Sequence, residues 1–216
     1  VKAKALLIYD YLSPAKLRRL IEIAREEDGR DLGSEYLYGP KERVRILIRA
    51  KEKGILAGVE VARKVFEIYD PDIRVKIFAK DGDELEKGTP IMMVSGLARQ
   101  VFPARRVALN FMMRISGVAT LASEFVEQTE GTDTEVLDTR KTTPVWRELE
   151  KYAVRVGGAR NHRFSLEEMI MIKKEDISHC GGVINTIRRV RRRNKDIYVV
   201  IETETREVTA EEVEAF

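Results

Sequence analysis

Residues 138–164 read DTRKTTPVWRELEKYAVRVGGARNHRF, and this segment predicts one βα unit with basic residues at both ends. A short apolar run, Val136-Leu137, comes directly before it and predicts a strand. The helix prediction depends on apolar side chains that recur on one face: Trp146, Leu149, Tyr152, Ala153 and Val156. A strand, a basic loop, a helix and a second basic loop are the layout of a βα unit whose strand end carries chemistry.

The two basic loops flank the helix and can meet at one mouth. Their side chains are Arg140, Lys141, Arg160, His162 and Arg163. Arginine binds carboxylates and phosphates through a bidentate pair of hydrogen bonds, and its guanidinium matches their geometry. The pattern therefore predicts a site for a small molecule that carries several carboxylates or phosphates.

The C-terminal part of the chain repeats the strand and helix pattern. Three apolar runs each end in charged residues, at residues 136–138, 169–174 and 198–204, and a helical pattern at residues 183–190 lies between the last two. Apolar strands that alternate with helices predict a parallel sheet buried on both faces. Charges at the strand ends predict the mouth of an α/β barrel.

A complete barrel needs more chain than this sequence provides. Only 85 residues follow Gly131, whereas a complete (β/α)₈ barrel takes ~250 residues. We therefore expect an incomplete barrel of about three βα units, in a truncated sequence or a fragment. Residues 209–212, TAEE, predict a capping box that begins a third helix.

The first 100 residues predict an α+β domain, an open sheet with helices. Ser13-Pro14 predicts a helix start, and Val44, Ile46 and Ile48 alternate with Arg45, Leu47 and Arg49 as in a half-buried strand. Further elements are predicted as a helix at 59–69, strands at 73–78 and 91–94, and a long helix at 100–128.

We therefore expect two domains. Residues 1–100 form an α+β sandwich, and residues 101–216 hold a linking helix and the partial α/β barrel with the mouth. Ser116-Gly117 interrupts the long helix, so a kink or a close backbone approach is expected there.

Composition limits the class of protein and its location. Charged residues reach 35% at a net charge of +3, and 44% of residues are hydrophobic, so a core is available. The single cysteine, Cys180, excludes an intramolecular disulfide framework and suits a reducing cytosol. The apolar run Ala5–Ile8 is too short to span a membrane. We expect a cytoplasmic protein without a membrane partner.

Three further motifs have weaker functional interpretations. The sequence DGDELEKG at residues 81–88 also occurs in lipoyl and biotinyl carrier domains, but the lysine at a hairpin tip that they need is missing. His179-Cys180 lacks a third group to orient a nucleophile pair. The basic run at residues 188–193 has no interleaved aromatic residues, so we expect a solvated helix end and no nucleic-acid partner.

The motifs DTRKTTP, KYAVRVGG and NHRF, at residues 138–144, 151–158 and 161–164, resemble those of quinolinate phosphoribosyltransferase, the decarboxylating enzyme of NAD biosynthesis. Upstream, RVALNF at residues 106–111 and ISGVAT at residues 115–120 are similar to one helix of the same family. The resemblance covers the chain from Glu26 onward.

The resemblance implies a reaction between quinolinate and phosphoribosyl pyrophosphate. The phosphoribosyl group is transferred to the pyridine nitrogen, with Mg²⁺ carried by the pyrophosphate, and decarboxylation then gives nicotinate mononucleotide. It implies catalytic roles for Lys141, near the pyridine and ribose, and for Glu204, facing the ribose hydroxyls or the metal. It assigns substrate binding to Arg106, Arg140, His162, Arg163 and Lys173. Arg106 would come from the second subunit of a homodimer or a higher homo-oligomer with shared sites.

The sequence departs from the family where IKDNHI is usual. Residues 172–177 read IKKEDI, so the lysine is kept while the acid, the amide and the histidine are replaced. Strand alternation predicts that Lys173 and Lys174 point to opposite sides, and the resemblance implies that Lys173 is the one that faces the mouth. Two alternatives stay open: a related protein associated with molybdenum transport that acts on another ring substrate, and an inactive barrel fragment that binds anions.

Overall fold

The computed structural model of the protein describes residues 7–202. The chain divides into two compact units, the first ending at His162 and the second beginning at Arg163. Each unit has its own hydrophobic core. An α+β arrangement followed by an α/β arrangement is confirmed, whereas the extent of the barrel and the domain boundary at residue 100 stay predictions.

The first unit contains five α-helices and five short strands within the described residues. The helices are α1 (Pro14–Asp28), α2 (Leu32–Leu37), α3 (Val59–Tyr69), α4 (Ala98–Glu127) and α5 (Arg147–Val156). The strands are β1 (Arg43–Arg49), β2 (Gly54–Ile55), β3 (Arg74–Ile77), β4 (Glu84–Leu85) and β5 (Pro90–Leu97). A single 3₁₀ turn, Ile8–Asp10, precedes α1.

Helix α1 begins where the sequence predicts. The backbone N–H of Lys16 donates to Ser13 Oγ at 3.3 Å, and Pro14 occupies the first turn. Proline fits there because its missing N–H would have no partner inside the helix. Leu17 and Ile21 are fully buried and fix the inner face of the helix.

The strands β1, β5 and β3 form an antiparallel sheet in that order. On β1, Val44, Ile46 and Ile48 pack against the core. The outer strands turn only basic charges to solvent, namely Arg43, Arg45 and Arg49 on β1 and Arg74 and Lys76 on β3. Ser95 of β5 pairs with Arg45 on one side and with Arg74 on the other. One face of the sheet is therefore apolar and the opposite face is basic.

Asp81, the first residue of the DGDELEKG motif, caps helix α3. Its carboxylate accepts hydrogen bonds from the backbone N–H groups of Gly58 and Val59, at 3.0 and 2.9 Å. An acidic group at this position also compensates the positive end of the helix dipole. The motif therefore has a structural role in this protein.

Helix α4 runs without interruption through Ser116-Gly117, so the predicted interruption of the helix is wrong, whereas the kink stays a prediction. A Cβ atom on Gly117 would meet nothing within 4 Å, and no close backbone approach occurs there. Ser116 instead fastens the helix to the chain before α3, because its hydroxyl accepts from Ala57 N at 2.9 Å and donates to Ala57 O at 3.0 Å.

The βα unit predicted at residues 136–158 is present, but its strand is reduced to one bridge. Leu137 pairs in parallel with Arg160, and α5 connects the two positions. Backbone bonds from Asp138 N to Arg160 O and from Arg160 N to Val136 O hold the pairing. The sequence analysis did not predict a strand-like segment at Arg160, because this segment is short and polar.

The second unit contains β6 (Ile170–Ile172), α6 (Lys174–Cys180), α7 (Val183–Arg191) and β7 (Val199–Ile201). β6 and β7 are parallel, with Ile170 opposite Val199 and Ile172 opposite Ile201. Both strands and α7 confirm the predicted pattern. Lys174 is the first residue of α6 and not a strand residue, so the predicted alternation of Lys173 and Lys174 is wrong.

No helix within residues 7–202 has the length and apolar character needed to cross a membrane.

Candidate active site

A buried ion pair lies at the ends of the two bridged segments. Lys151 of α5 has a side chain that is 1% exposed, and its Nζ donates to Asp138 Oδ1 at 2.5 Å and to His162 O at 2.9 Å. Asn161 Nδ2 donates to Asp138 Oδ2 at 2.7 Å, and His162 N donates to Asp138 Oδ1 at 2.8 Å. The Asp138 carboxylate therefore receives three donors.

This network fixes the residues that follow the two bridged segments next to each other. Asp138 follows the first bridged segment and His162 follows the second, and both are held by the same Lys151 ammonium group. A buried ion pair stabilises a local arrangement only when both charged groups also have other hydrogen-bond partners. The Asp138 carboxylate and the Lys151 ammonium group both have such partners. Arg140 and Lys141 follow Asp138 by two and three residues, so the network holds the start of this basic loop beside the His162 backbone.

A second buried acid holds the far side of the basic loop. Glu150 of α5 accepts hydrogen bonds from Thr143 N at 3.1 Å and from Thr143 Oγ1 at 2.7 Å. Arg114 of α4 donates to the same carboxylate at 3.0 Å. Burial on its own would raise the pKa of Glu150, but the bonds from Thr143 and Arg114 outweigh it and lower the pKa. Glu150 is therefore held as a carboxylate.

Arg140 and Lys141 lie between these two anchors. The Arg140 side chain is half-buried, and its Nε is buried without a hydrogen-bond partner among the described residues. Lys141 is exposed, and its backbone N–H donates to Thr139 Oγ1 at 3.0 Å. Neither cation forms an ion pair with a described residue.

Two acids of α5 that lie close to these cations in the sequence, Glu148 and Glu150, are occupied by other bases. Glu148 pairs with Lys16 and Glu150 pairs with Arg114. Arg140 and Lys141 therefore do not form ion pairs with these two acids. Two cations held on a fixed loop without acidic partners favour an anionic ligand.

The other predicted site residues lie elsewhere in the chain. Arg106 is exposed on α4, where it forms no hydrogen bond or ion pair with residues 7–202. Arg163 belongs to the second unit, is 8% exposed, and its Nη1 donates to Met169 O at 2.8 Å. Lys173 is exposed directly before α6. Glu204 lies outside the described residues.

The structure thus places Arg140, Lys141 and His162 in neighbouring loops of the first unit, directly after the two bridged segments. The sequence analysis missed the residues that hold them, namely Lys151, Glu150, Asp138 and Arg114. The helical periodicity of α5 gives no signal for Glu150 and Lys151, because both lie outside its apolar stripe. Their burial comes from the loops that cover this helix.

Within residues 7–202, no group of three histidine, cysteine or acidic side chains could hold a metal ion. The Asp138 carboxylate is also occupied by its three donors. The described residues therefore do not build a resident metal site.

Models of two protein families match consecutive parts of the chain. The N-terminal domain of quinolinate phosphoribosyl transferase matches residues 31–116, and its C-terminal domain matches residues 118–215.

Two curated relatives are similar over most of the chain. It is 38% identical over 205 residues to the chloroplastic nicotinate-nucleotide pyrophosphorylase (carboxylating) of Arabidopsis thaliana, covering 92% of this chain and 58% of the relative. It is 38% identical over 186 residues to the probable nicotinate-nucleotide pyrophosphorylase (carboxylating) of Bacillus subtilis strain 168, covering 86% of this chain and 64% of the relative. The chain thus spans about three fifths of these two relatives.

Solved structures show the same similarity in three dimensions. NadC from Streptococcus pyogenes matches with a TM-score of 0.86 and 35% identity, over 90% of this chain and 71% of that chain. The nicotinate-nucleotide pyrophosphorylase from Francisella tularensis matches with a TM-score of 0.85 and 28% identity, over 90% of this chain and 69% of that chain. The family models, the sequence identity and the shared fold agree, and the protein belongs to the quinolinate phosphoribosyltransferase family.

Proposed function

We propose that the protein transfers the phosphoribosyl group of phosphoribosyl pyrophosphate to the nitrogen of quinolinate. The bond from the anomeric carbon to pyrophosphate breaks as the bond to nitrogen forms. Loss of carbon dioxide from the adduct then gives nicotinate mononucleotide. The names of the relatives from Arabidopsis thaliana and Bacillus subtilis support this reaction.

One structural observation carries the proposal. Arg140 presents a buried Nε–H without a partner among the described residues, on a loop whose two ends are fixed. Buried donors are normally hydrogen-bonded, so a buried guanidinium N–H without a partner points to a ligand. A pyridine dicarboxylate supplies planar oxygen acceptors that match an arginine.

The other residues take the roles that membership of the family implies. We assign Arg140, His162, Arg163 and Lys173 to the two carboxylates of quinolinate, and Lys141 to the region between the pyridine and the ribose. Glu204 would face the ribose hydroxyls. Positive groups around the substrates stabilise the negative charge that develops on the departing pyrophosphate.

The metal enters this proposal with the substrate. Phosphoribosyl pyrophosphate would arrive as its Mg²⁺ complex, since Mg²⁺ commonly binds through substrate phosphates and few protein carboxylates.

The departure from the family at residues 174–176 does not require another ring substrate. Lys174 begins α6, and Asp176 Oδ2 accepts from Lys173 N at 2.9 Å, which caps the helix start. Asp176 therefore has a structural role beside a retained Lys173. This favours quinolinate over the alternative with a different ring.

We further propose a homodimer in which Arg106 reaches the substrate of the second subunit. Arg106 is exposed on α4 and lacks a partner within residues 7–202. The same helix exposes Met113, Leu121 and Phe125 by 56%, 55% and 57%, which supports contact with another subunit. We propose a cytoplasmic location, and the unpaired Cys180 suits a reducing compartment.

The reaction is tested with carboxyl-labelled quinolinate, phosphoribosyl pyrophosphate and Mg²⁺. We expect labelled carbon dioxide and nicotinate mononucleotide in equal amounts. Arg140→Ala should weaken quinolinate binding by about 1.5–3 kcal/mol, the range for hydrogen bonds to charged groups. Arg160→Ala is the matched control, because the Arg160 side chain, although predicted at the same mouth, is exposed and already paired with Glu135 at 2.7 Å.

Three outcomes separate the alternatives. Turnover of a different aromatic acid, with quinolinate inert, would assign the protein to the molybdenum-associated relatives. Binding of quinolinate without turnover would identify an anion-binding fragment. If Arg106→Ala and Arg140→Ala are each inactive but regain activity when mixed, the site is shared between subunits, and absence of recovery would contradict the shared site.

A further inference from the structure

Two consecutive residues of α5, Glu150 and Lys151, are both charged and both buried. Their relative exposures are 9% and 1%. Lysine and glutamate are rarely buried to this degree unless they are paired. Neither residue belongs to the cations and the histidine that the proposed reaction uses, so their burial needs a separate explanation.

Their partners bracket the basic loop. Lys151 binds Asp138, where the loop begins, and Glu150 binds Thr143, three residues after Arg140. Arg140 and Lys141 lie between these two fixed points. We use the term two-point clamp for Glu150 and Lys151 with their loop partners Asp138 and Thr143.

Charge is balanced separately at each point of the clamp. Asp138 neutralises Lys151, and Arg114 from α4 neutralises Glu150. The two-point clamp therefore leaves no buried charge without a counter-charge, and it adds none to the loop. The positive charge of Arg140 and Lys141 stays available to a ligand.

Hydrogen bonds within the loop also fix the segment between the two points. Lys141 N donates to Thr139 Oγ1 and Thr142 N donates to Arg140 O, each at 3.0 Å. Fixing a residue in one backbone conformation costs conformational entropy. A loop that is already fixed before a ligand binds does not incur this cost on binding.

We propose that Glu150 and Lys151 are positioning residues, which hold Arg140 and Lys141 in the geometry that the anionic substrates need. The role rests on the proposed function, because it concerns the same site. The alternative is a clamp that only stabilises the fold. The two differ in what happens when the loop is released without loss of stability.

Thr143 offers that release, because it is exposed and its hydroxyl makes one of the clamp bonds. Thr143→Val keeps the shape of the side chain and removes the hydroxyl donor, whereas Thr143→Ser keeps the donor. Thr132→Val is the control, since the Thr132 hydroxyl makes a similar exposed bond, to Thr129 O, outside the clamp.

The first readout is amide hydrogen exchange at residues 139–142, which needs no substrate. We expect exchange at least tenfold faster in Thr143→Val and unchanged in Thr143→Ser and Thr132→Val. The second readout is turnover of quinolinate, with at least a tenfold loss of kcat/KM in Thr143→Val alone. The melting temperature of Thr143→Val should stay close to that of the wild type.

A charge-neutral pair tests the other point of the clamp. Lys151→Met should destabilise the fold strongly, because Asp138 is left buried without its counter-charge. The double variant Asp138→Asn with Lys151→Met should recover stability but not the slow exchange of residues 139–142. Recovery of both would mean that the ion pair is only structural.

The two readouts separate the clamp from the reaction. Unchanged exchange and unchanged turnover in Thr143→Val would overturn the clamp while the reaction stands. Faster exchange in Thr143→Val, in a protein that never turns over quinolinate, would retain the clamp and overturn the proposed reaction.

Discussion

The hydroxyl of Tyr152 donates a 2.5 Å hydrogen bond to Asp81 Oδ2, and these residues are 71 positions apart in the chain. Tyr152 lies on α5, the helix of the first βα unit, and Asp81 caps α3 in the N-terminal part. One hydrogen bond therefore fastens the helix that carries the two-point clamp to the α+β part of the same unit. Removal of this bond should destabilise both α5 and the α+β part.

Tyr152→Phe should lower the free energy of unfolding by about 1.5–3 kcal/mol, because it removes a hydrogen bond to a charged carboxylate. Chemical denaturation followed by circular dichroism measures the change. Tyr36→Phe is the matched control, since Tyr36 is 81% exposed on α2. An equal loss in both variants would mean that the bond to Asp81 contributes nothing specific.

Alkaline pH should remove part of the contribution of Tyr152. Burial, followed by the charge of Asp81 and the bond to it, raises the pKa of Tyr152 above its usual 10.0. The unfolded chain loses this proton near pH 10 while the folded chain retains it, so the stabilisation is present below pH 10 and is lost as the pH rises further. The difference in unfolding free energy between wild type and Tyr152→Phe should shrink as the pH rises from about 9 to about 11. A constant difference would contradict the raised pKa.

Acid pH should act through Glu150 in the opposite direction. The pKa of Glu150 is lowered from 4.5, although burial acts against this, because Thr143 and Arg114 donate to the carboxylate. The unfolded chain therefore takes up the proton first as the pH falls. The advantage of wild type over Glu150→Gln should be complete above pH 4.5 and should disappear as the pH falls through the lowered value. Denaturation curves at pH 7 and at about pH 3 measure it.

Gly157→Ala should be strongly destabilising, whereas Gly117→Ala should be stabilising. A Cβ atom on Gly157 would lie 2.2 Å from Ala119 O, so α5 would have to move away from α4. Gly117 is exposed within α4 with open space around its Cα, and alanine should add about 0.5–1 kcal/mol by helix propensity. Thermal unfolding of both variants tests the pair. A mild effect at Gly157 would show that the contact between α4 and α5 adapts.

Val145→Asn should raise the free energy of unfolding by about 1 kcal/mol. Val145 has a φ angle of 62°, and no other non-glycine residue of the described chain has a positive φ. This left-handed conformation costs an L-residue roughly 1–2 kcal/mol, and asparagine tolerates it better than a β-branched side chain. Val145 is 69% exposed, so little packing is lost. Lower stability of the variant would show that the valine side chain itself is needed.

The sequence correctly predicted the elements that have a clear local signal, such as a helix cap or an alternating pattern. Ser13-Pro14 marks the start of α1, and the alternation on β1 matches its inner and outer faces. Two of the three apolar runs of the C-terminal part correctly predicted β6 and β7, in which Ile172 and Val199 are buried, whereas the first run became a single bridge with Leu137 exposed. The motifs DTRKTTP and NHRF predicted that the candidate site residues follow the two bridged segments.

What could not be predicted depends on tertiary contacts. Gly117 and Gly157 look alike in sequence, yet only Gly157 lies against another helix. Lys174 follows an apolar run as a strand residue would, but the cap from Asp176 turns the chain into α6. The burial of Glu150 and Lys151 depends on loops that fold back over α5. A periodicity argument contains none of this information.

The row of cations on the sheet has a consequence for how the protein meets other chains. Within the described residues, β1 and β3 are the two edges of the sheet, and an edge strand offers unpaired backbone groups to a strand from another molecule. Arg45 on one edge and Arg74 on the other keep positive charges beside those groups. A second copy that approached edge to edge would bring like charges together, so this sheet resists growth into intermolecular β-aggregates.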